Sequence, residues 1–224
     1  MHVGQVSFEF PKWGGARRGA GRKRREPMRR VEHRVRPELS PRHPLHVTLR
    51  LAPGLESLRK RPNHRIVLDA LSEACGRFGL RIVHYCVMTN HVHLICEVAD
   101  TSSLSRGIKG LCVRLARNLN ARWQRVGSVI ADRFHAHVLK TPREVHNALA
   151  YLLNNASHHG IHFAGPDPYS SGAWFDGWSH ERESTTGHGL APTASLLSRA
   201  RTWLLAVGWR RHGLIVIGGI SSRR

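Results

Sequence analysis

The chain has 224 residues, 41% of them hydrophobic, which suits one domain of ordinary size with extensions and excludes disorder throughout. Its 35 Lys and Arg against 15 Asp and Glu leave a net charge of +20, a balance that points to a polyanionic partner, nucleic acid first of all. No apolar run is long enough to cross a membrane and none opens the chain as a secretion signal would, so a cytoplasmic protein with no membrane partner is expected.

Residues 1–40 hold 11 basic and 4 acidic groups and are rich in glycine around Arg17, Arg18, Arg22, Lys23, Arg24 and Arg25. Like charges repel one another and glycine raises the entropy cost of order, so this stretch reads as a basic arm that orders on phosphates. Residues 41–164 carry 17 basic and 7 acidic groups and form the expected folded domain, basic in its own right. Residues 165–224 read as a C-terminal extension. The four cysteines, Cys75, Cys86, Cys96 and Cys112, lack C-x-x-C spacing and sit in apolar patterns, as reduced buried thiols do.

From Pro44 the pattern becomes regular. His46 to Leu51 alternates polar residues with Val47, Leu49 and Leu51, which predicts a first strand. Val67, Ala70, Leu71, Ala74 and Phe78 recur at helical spacing, with Gly79 as the stop. Arg81–Met88 and His91–Val98 predict two strands joined at Thr89-Asn90, with Asn90 able to take a left-handed conformation. A helix follows from about Ser102 to Gln124, then a strand through Phe134, Ala136 and Val138. The order strand, helix, strand, strand, helix, strand is the split βαβ arrangement of an α+β, ferredoxin-like or RRM-like fold. Helices on one face of such an antiparallel sheet leave the other face free.

The next helix has the clearest boundaries. Thr141-Pro142-Arg143-Glu144 supplies an N-cap hydroxyl, a proline at the first helical position and a glutamate at the third, while Gly160 marks the end. Tyr151 and Asn155, four apart, lie one turn from each other, about 6 Å. Beyond Phe163, Trp174, Phe175 and Trp178 either stack on bases or pack their loop onto the domain, and Ala194–Val207 predicts a short amphipathic helix.

Two histidines one residue apart on a strand share a face, so His91 and His93 point together while Val92, Leu94 and Cys96 point the other way. That geometry allows two imidazoles to bind one metal ion, and it equally suits two ordinary surface histidines. A second pair, His135 and His137, repeats the spacing. By the same alternation Thr48 and Arg50 fall on the face of His91 and His93.

In combination, His91-Val92-His93 in a strand preceded by Met88 and Asn90, then Tyr151 with Asn155 in the last helix, resembles the HUH endonucleases. The likeness is to the single-tyrosine transposases of the IS200-like group and their REP-associated relatives, over Pro44 to His159. The resemblance implies that His91, His93 and Asn155 bind a divalent metal, Mg²⁺ or Mn²⁺, and that Tyr151 is the nucleophile. It further implies a bacterial, nucleoid-associated protein, monomer or homodimer, acting on single-stranded DNA with hairpins. Thr89 departs from the proline common at that place. DNA contacts are expected from Thr48, Arg50 and His137 and from Arg17, Arg18, Arg22, Lys23, Arg24 and Arg25 of the arm. A DNA-binding regulator that no longer cuts is the alternative.

Overall fold

Strand β1, Leu45–Arg50, buries Leu45, Val47 and Leu49 and turns His46, Thr48 and Arg50 to the opposite side. The computed structural model to which this strand belongs describes residues 38–179 and 197–219, so the basic arm calls at Arg17 to Arg25 lie outside the described residues. Helix α1, Arg61–Ala74, follows, then β2, Arg81–Val87, and β3, His91–Glu97. Helix α2 is Thr101–Arg122, β4 is His135–Val138 and α3 is Pro142–Leu153. The strands form one antiparallel sheet in the order β2-β3-β1-β4, the order in which two interleaved βαβ units place their strands.

Helices α1 and α2 cover one face. Val47, Leu49, Val92 and Leu94 pack there against Val67, Leu71, Ile108, Leu111 and Leu115, all but excluded from solvent. The helix ends follow their local chemistry: Asp100 caps α2 by accepting from the Ser103 N–H, and Thr141 and Glu144 close a reciprocal capping box on α3.

The other face is not free. Val83, Cys86 and Met88 from the β2 side and Ile95 of β3 pack under Val145, Leu149 and Leu152 of α3, joined by Phe175, Trp178, Leu204, Trp209 and Ile215. An extra residue in β2, a bulge between Ile82 and His84, adds Val83 to that layer. No residue of β1 or β4 belongs to this second core, so only that half of the face stays open. Phe175 and Trp178 are therefore packing residues.

Several local expectations give way to tertiary contacts. Helix α1 ends at Ala74, and Phe78 lies in a following 3-10 turn, half exposed at φ 54°. The Thr89-Asn90 turn holds no left-handed residue, and its carbonyls accept from the Leu58 and Leu51 N–H groups at 2.9 and 2.8 Å. The run after α3 is interrupted at Asn154 before a last helical turn, α4, Asn155–His158. Asn154 spends its side chain on the C-terminal segment, donating to the Val216 carbonyl at 3.0 Å and accepting from the Gly218 N–H at 2.8 Å.

The helix expected over 194–207 shrinks to α5, Trp203–Ala206. Residues 194–196 lie outside the described residues. From Ser198 the backbone N–H groups are bonded elsewhere: Ser198 donates to the Ile82 carbonyl, and Arg201 and Thr202 donate to the Glu97 carboxylate. Trp203 and Val207 are half exposed, while Leu204, Leu205 and Trp209 are buried in their place. All four cysteines are free thiols.

Candidate active site

The register of the sheet assembles the site. Across the β1–β3 pair Arg50 faces His91 and Thr48 faces His93, while His46 lies beside Ile95 one row further on. On the other side of β1, His135 pairs with Thr48 and His137 with His46. Helix α3 then lays Tyr151 over this row. The Tyr151 ring stands edge-on to His93 at 5.5 Å between centroids, and to His46 at 6.0 Å. His158 lies 5.4 Å from Tyr151, and His159 lies 5.9 Å from His91. Segments some sixty residues apart in the chain thus meet.

Both β3 histidines are held at Nδ1. The Nδ1–H of His91 donates to the Asn90 side-chain oxygen at 2.8 Å, since that oxygen can only accept. In the neutral ring this leaves the lone pair on His91 Nε2. Nδ1 of His93 is shared by His46 Nε2 at 3.0 Å and Thr48 Oγ1 at 3.1 Å, while its Nε2 is buried with no hydrogen-bond partner among the described residues. Burial, then the neighbouring imidazoles, pulls His93 down to about 3. Burial likewise pulls His46 and His91 to about 4, with His135 and His137 acting on His46 and with His159 and Arg50 acting on His91. At neutral pH all three rings are neutral and offer lone pairs.

Asn155 is fully buried, and neither atom of its amide has a partner among the described residues. A buried unpaired amide costs about 1–3 kcal/mol, so its retention needs a reason outside the packing. A divalent cation would supply one. No group of three His, Cys, Asp or Glu side chains suited to a metal occurs among the described residues, and the third ligand expected beside His91 and His93 is an amide, that of Asn155. Nitrogen and amide-oxygen donors with open positions fit Mg²⁺ or Mn²⁺.

The other expected contacts divide. Arg50 and His137 are exposed on the open half of the face, as a DNA contact requires. Thr48 is half buried behind the site, where its hydroxyl orients His93 rather than lining a groove. His46 was legible by the same alternation that singled out Thr48 and Arg50, two and four residues on. A second hidden element is Asp167, which binds Arg59 through two contacts of 2.8 and 2.9 Å. Arg59 also donates to the Val87 carbonyl and lies 4.2 Å over the Tyr169 ring, tying the chain beyond α4 to the end of β2.

Residues 56–150 match the family model described as "Transposase IS200 like". Over that stretch, which is under half of the chain, the sequence is similar to the IS200-like transposases. The matched stretch includes His91 and His93 and stops one residue short of Tyr151. Among solved structures the chain is similar to one described as a REP-associated tyrosine transposase bound to a REP hairpin. The two are 14% identical, the match covers 58% of this chain and 75% of that one, and the TM-score is 0.49. No curated protein matches the chain. No helix among the described residues is long and apolar enough to cross a membrane.

Proposed function

We propose that this transposase-like protein nicks and rejoins single-stranded, hairpin-bearing DNA through a covalent link to Tyr151, in the manner of the REP-associated group. The observation that carries the reading is the Tyr151 ring set 5.5 Å from the His93 ring, in a chain similar over residues 56–150 to the IS200-like transposases. In the step proposed, the phenol oxygen attacks the scissile phosphorus as the bond to the 3′-oxygen breaks. The phenol gives up its proton, the leaving 3′-oxygen gains one, and a 5′-phosphotyrosine remains. Attack by another 3′-hydroxyl reverses the step and joins strands, with no water or nucleotide triphosphate consumed.

His91, His93 and Asn155 would hold a divalent cation, which when bound polarises the phosphate and offsets charge developing on it. The residues behind them keep the site in register. His46 and Thr48 hold the His93 ring from behind, and Asn90 holds that of His91. Arg50, exposed beside His91, and the surplus of cations in residues 41–164 are suited to phosphates flanking the cut.

The test is incubation of the full chain with an end-labelled hairpin oligonucleotide and Mn²⁺, followed by denaturing electrophoresis. A labelled band at protein mass is expected, and it disappears in Tyr151→Phe while DNA binding persists. A band that survives the substitution, or cut DNA with no protein attached, overturns the reading.

A further inference from the structure

A second basic site lies away from Tyr151. Where β3 ends, β1 begins and the chain leaves β4, a groove of about 780 Å³ opens, with Arg42, Lys140 and Arg201 exposed on its rim and Trp203 and Leu204 along its wall. None of His46, His91, His93 or Tyr151 lines it. The side chains of Arg42, Lys140 and Arg201 form no ion pair with the described residues. The one acidic group in the lining, Glu97, is nearly buried and already committed. Its carboxylate accepts from the Arg201 N–H, the Thr202 N–H and hydroxyl, and Arg81. The groove therefore presents uncompensated positive charge beside an apolar wall.

Trp203 is the second observation. It is 49% exposed, which is unusual for tryptophan, yet it is fixed in place. Gly208 lies so close that an added Cβ would meet the six-membered ring at 2.7 Å, and the Arg211 guanidinium stands 4.8 Å from a ring centroid. An exposed indole held rigid costs little further entropy on contact with a ligand. Cations that neutralise phosphates, beside an aromatic that can meet a base, are the two components of a single-strand platform.

We infer that this groove binds single-stranded nucleic acid as a separate subsite, with phosphates on Arg42, Lys140 and Arg201 and a base against Trp203. Glu97 is four residues beyond His93 on the same strand, about 13 Å at the rise of a β-strand. One strand held in the groove therefore reaches the Tyr151 site within a few nucleotides. The inference rests on the DNA reading above, and it assigns a contact that decides how much flanking strand the protein grips.

The experiment is fluorescence anisotropy of the full chain with labelled oligothymidylates of increasing length and no hairpin, over a range of salt. The triple variant Arg42→Gln, Lys140→Gln, Arg201→Gln keeps the buried contacts. It should lose affinity for the longer oligomers and lower the slope of log affinity against log salt by about 2, since each single-strand phosphate contact contributes about 0.7. Trp203→Ala should weaken binding roughly tenfold with the slope kept, and Trp203→Phe should restore most of it. An abasic oligomer should be insensitive to either change at Trp203.

A triple variant that binds with wild-type affinity and slope overturns the subsite, even if the wild-type protein forms adducts in the denaturing gel. A groove-dependent slope in a protein that forms no adduct upholds the subsite and sinks the tyrosine reading. Wild-type protein that binds anionic vesicles but not the oligomers, with vesicle binding lost in the triple variant, would assign the groove to a membrane surface and overturn the inference.

Discussion

His46 Nε2 lies 3.0 Å from His93 Nδ1, and the same nitrogen of His93 is 3.1 Å from the Thr48 hydroxyl. Two partners on one ring atom fix the rotation of the His93 ring. If Nε2 of His93 is a ligand, Nδ1 carries the proton and donates, and His46 accepts. Loss of such support behind a ligand costs about 10–100-fold in metal affinity. His46→Ala is expected to weaken Mn²⁺ binding by that factor in calorimetry, with Thr48→Val milder and the two effects not additive. Metal-free DNA binding by His46→Ala should stay within a few-fold of wild type, and unchanged Mn²⁺ affinity would show that the contact is packing alone.

Asn155 gives a prediction in which stability and function move apart. Both amide atoms are buried without partners among the described residues, so replacing the amide by an apolar group of similar size removes a desolvation cost. Asn155→Leu is expected to unfold at or above the wild-type midpoint in the absence of metal and to lose most of the stabilisation that Mn²⁺ gives the wild type. Thermal melts with and without Mn²⁺ check both halves. A strongly destabilised metal-free variant would mean that the amide has a structural partner.

Arg59 and Asp167 form a bidentate pair with side chains 10% and 3% exposed. Removing one member leaves the other charge buried, at a cost of about 3–5 kcal/mol. Asp167→Ala should lower the denaturant midpoint accordingly. The pair links the segment after α4 to β2, so amide exchange around residues 163–170 should rise more than in α1 and α2. Uniform loss of protection would contradict that link.

His64 and His84 predict acid sensitivity remote from the site. Burial pulls His64 down to about 4, aided by the Arg59 charge and opposed by Asp167. Burial does the same to His84 against Asp176. In the unfolded chain both titrate near 6.5, so between pH 6.5 and 4 the unfolded state takes up protons that the folded state refuses. Stability is therefore fully present above pH 6.5, falls by about 1.4 kcal/mol per pH unit per histidine as pH drops through that window, and levels below it. His64→Leu should flatten the slope of denaturation free energy against pH by one histidine's share. An unaltered slope would remove His64 from the account.

How much of this was legible in the chain depends on whether a feature is local. The parity that puts His91 and His93 on one side of β3 also puts His46, Thr48 and Arg50 on one side of β1, and the capping box sets the start of α3. These are properties of a few neighbouring residues. The break at Asn154 is different, because its cause is a pair of hydrogen bonds to Val216 and Gly218 more than sixty residues away. So is the shortened helix at Trp203, whose preceding N–H groups are captured by Glu97. Covering of the β2–β3 half of the second face has the same origin, since Ile95 shares its parity with the histidines and is buried only because α3 lies over it.

The four strands, the two helices behind them, the basic character and the residue types of the site are all local properties of the chain, because periodicity and capping act within one or two turns. That His46 backs His93, that Tyr151 lies over both and that Thr48 serves the imidazole emerge only in the folded molecule. Those contacts depend on strand register and on where α3 lands, and both are set by packing between segments that share no local signal.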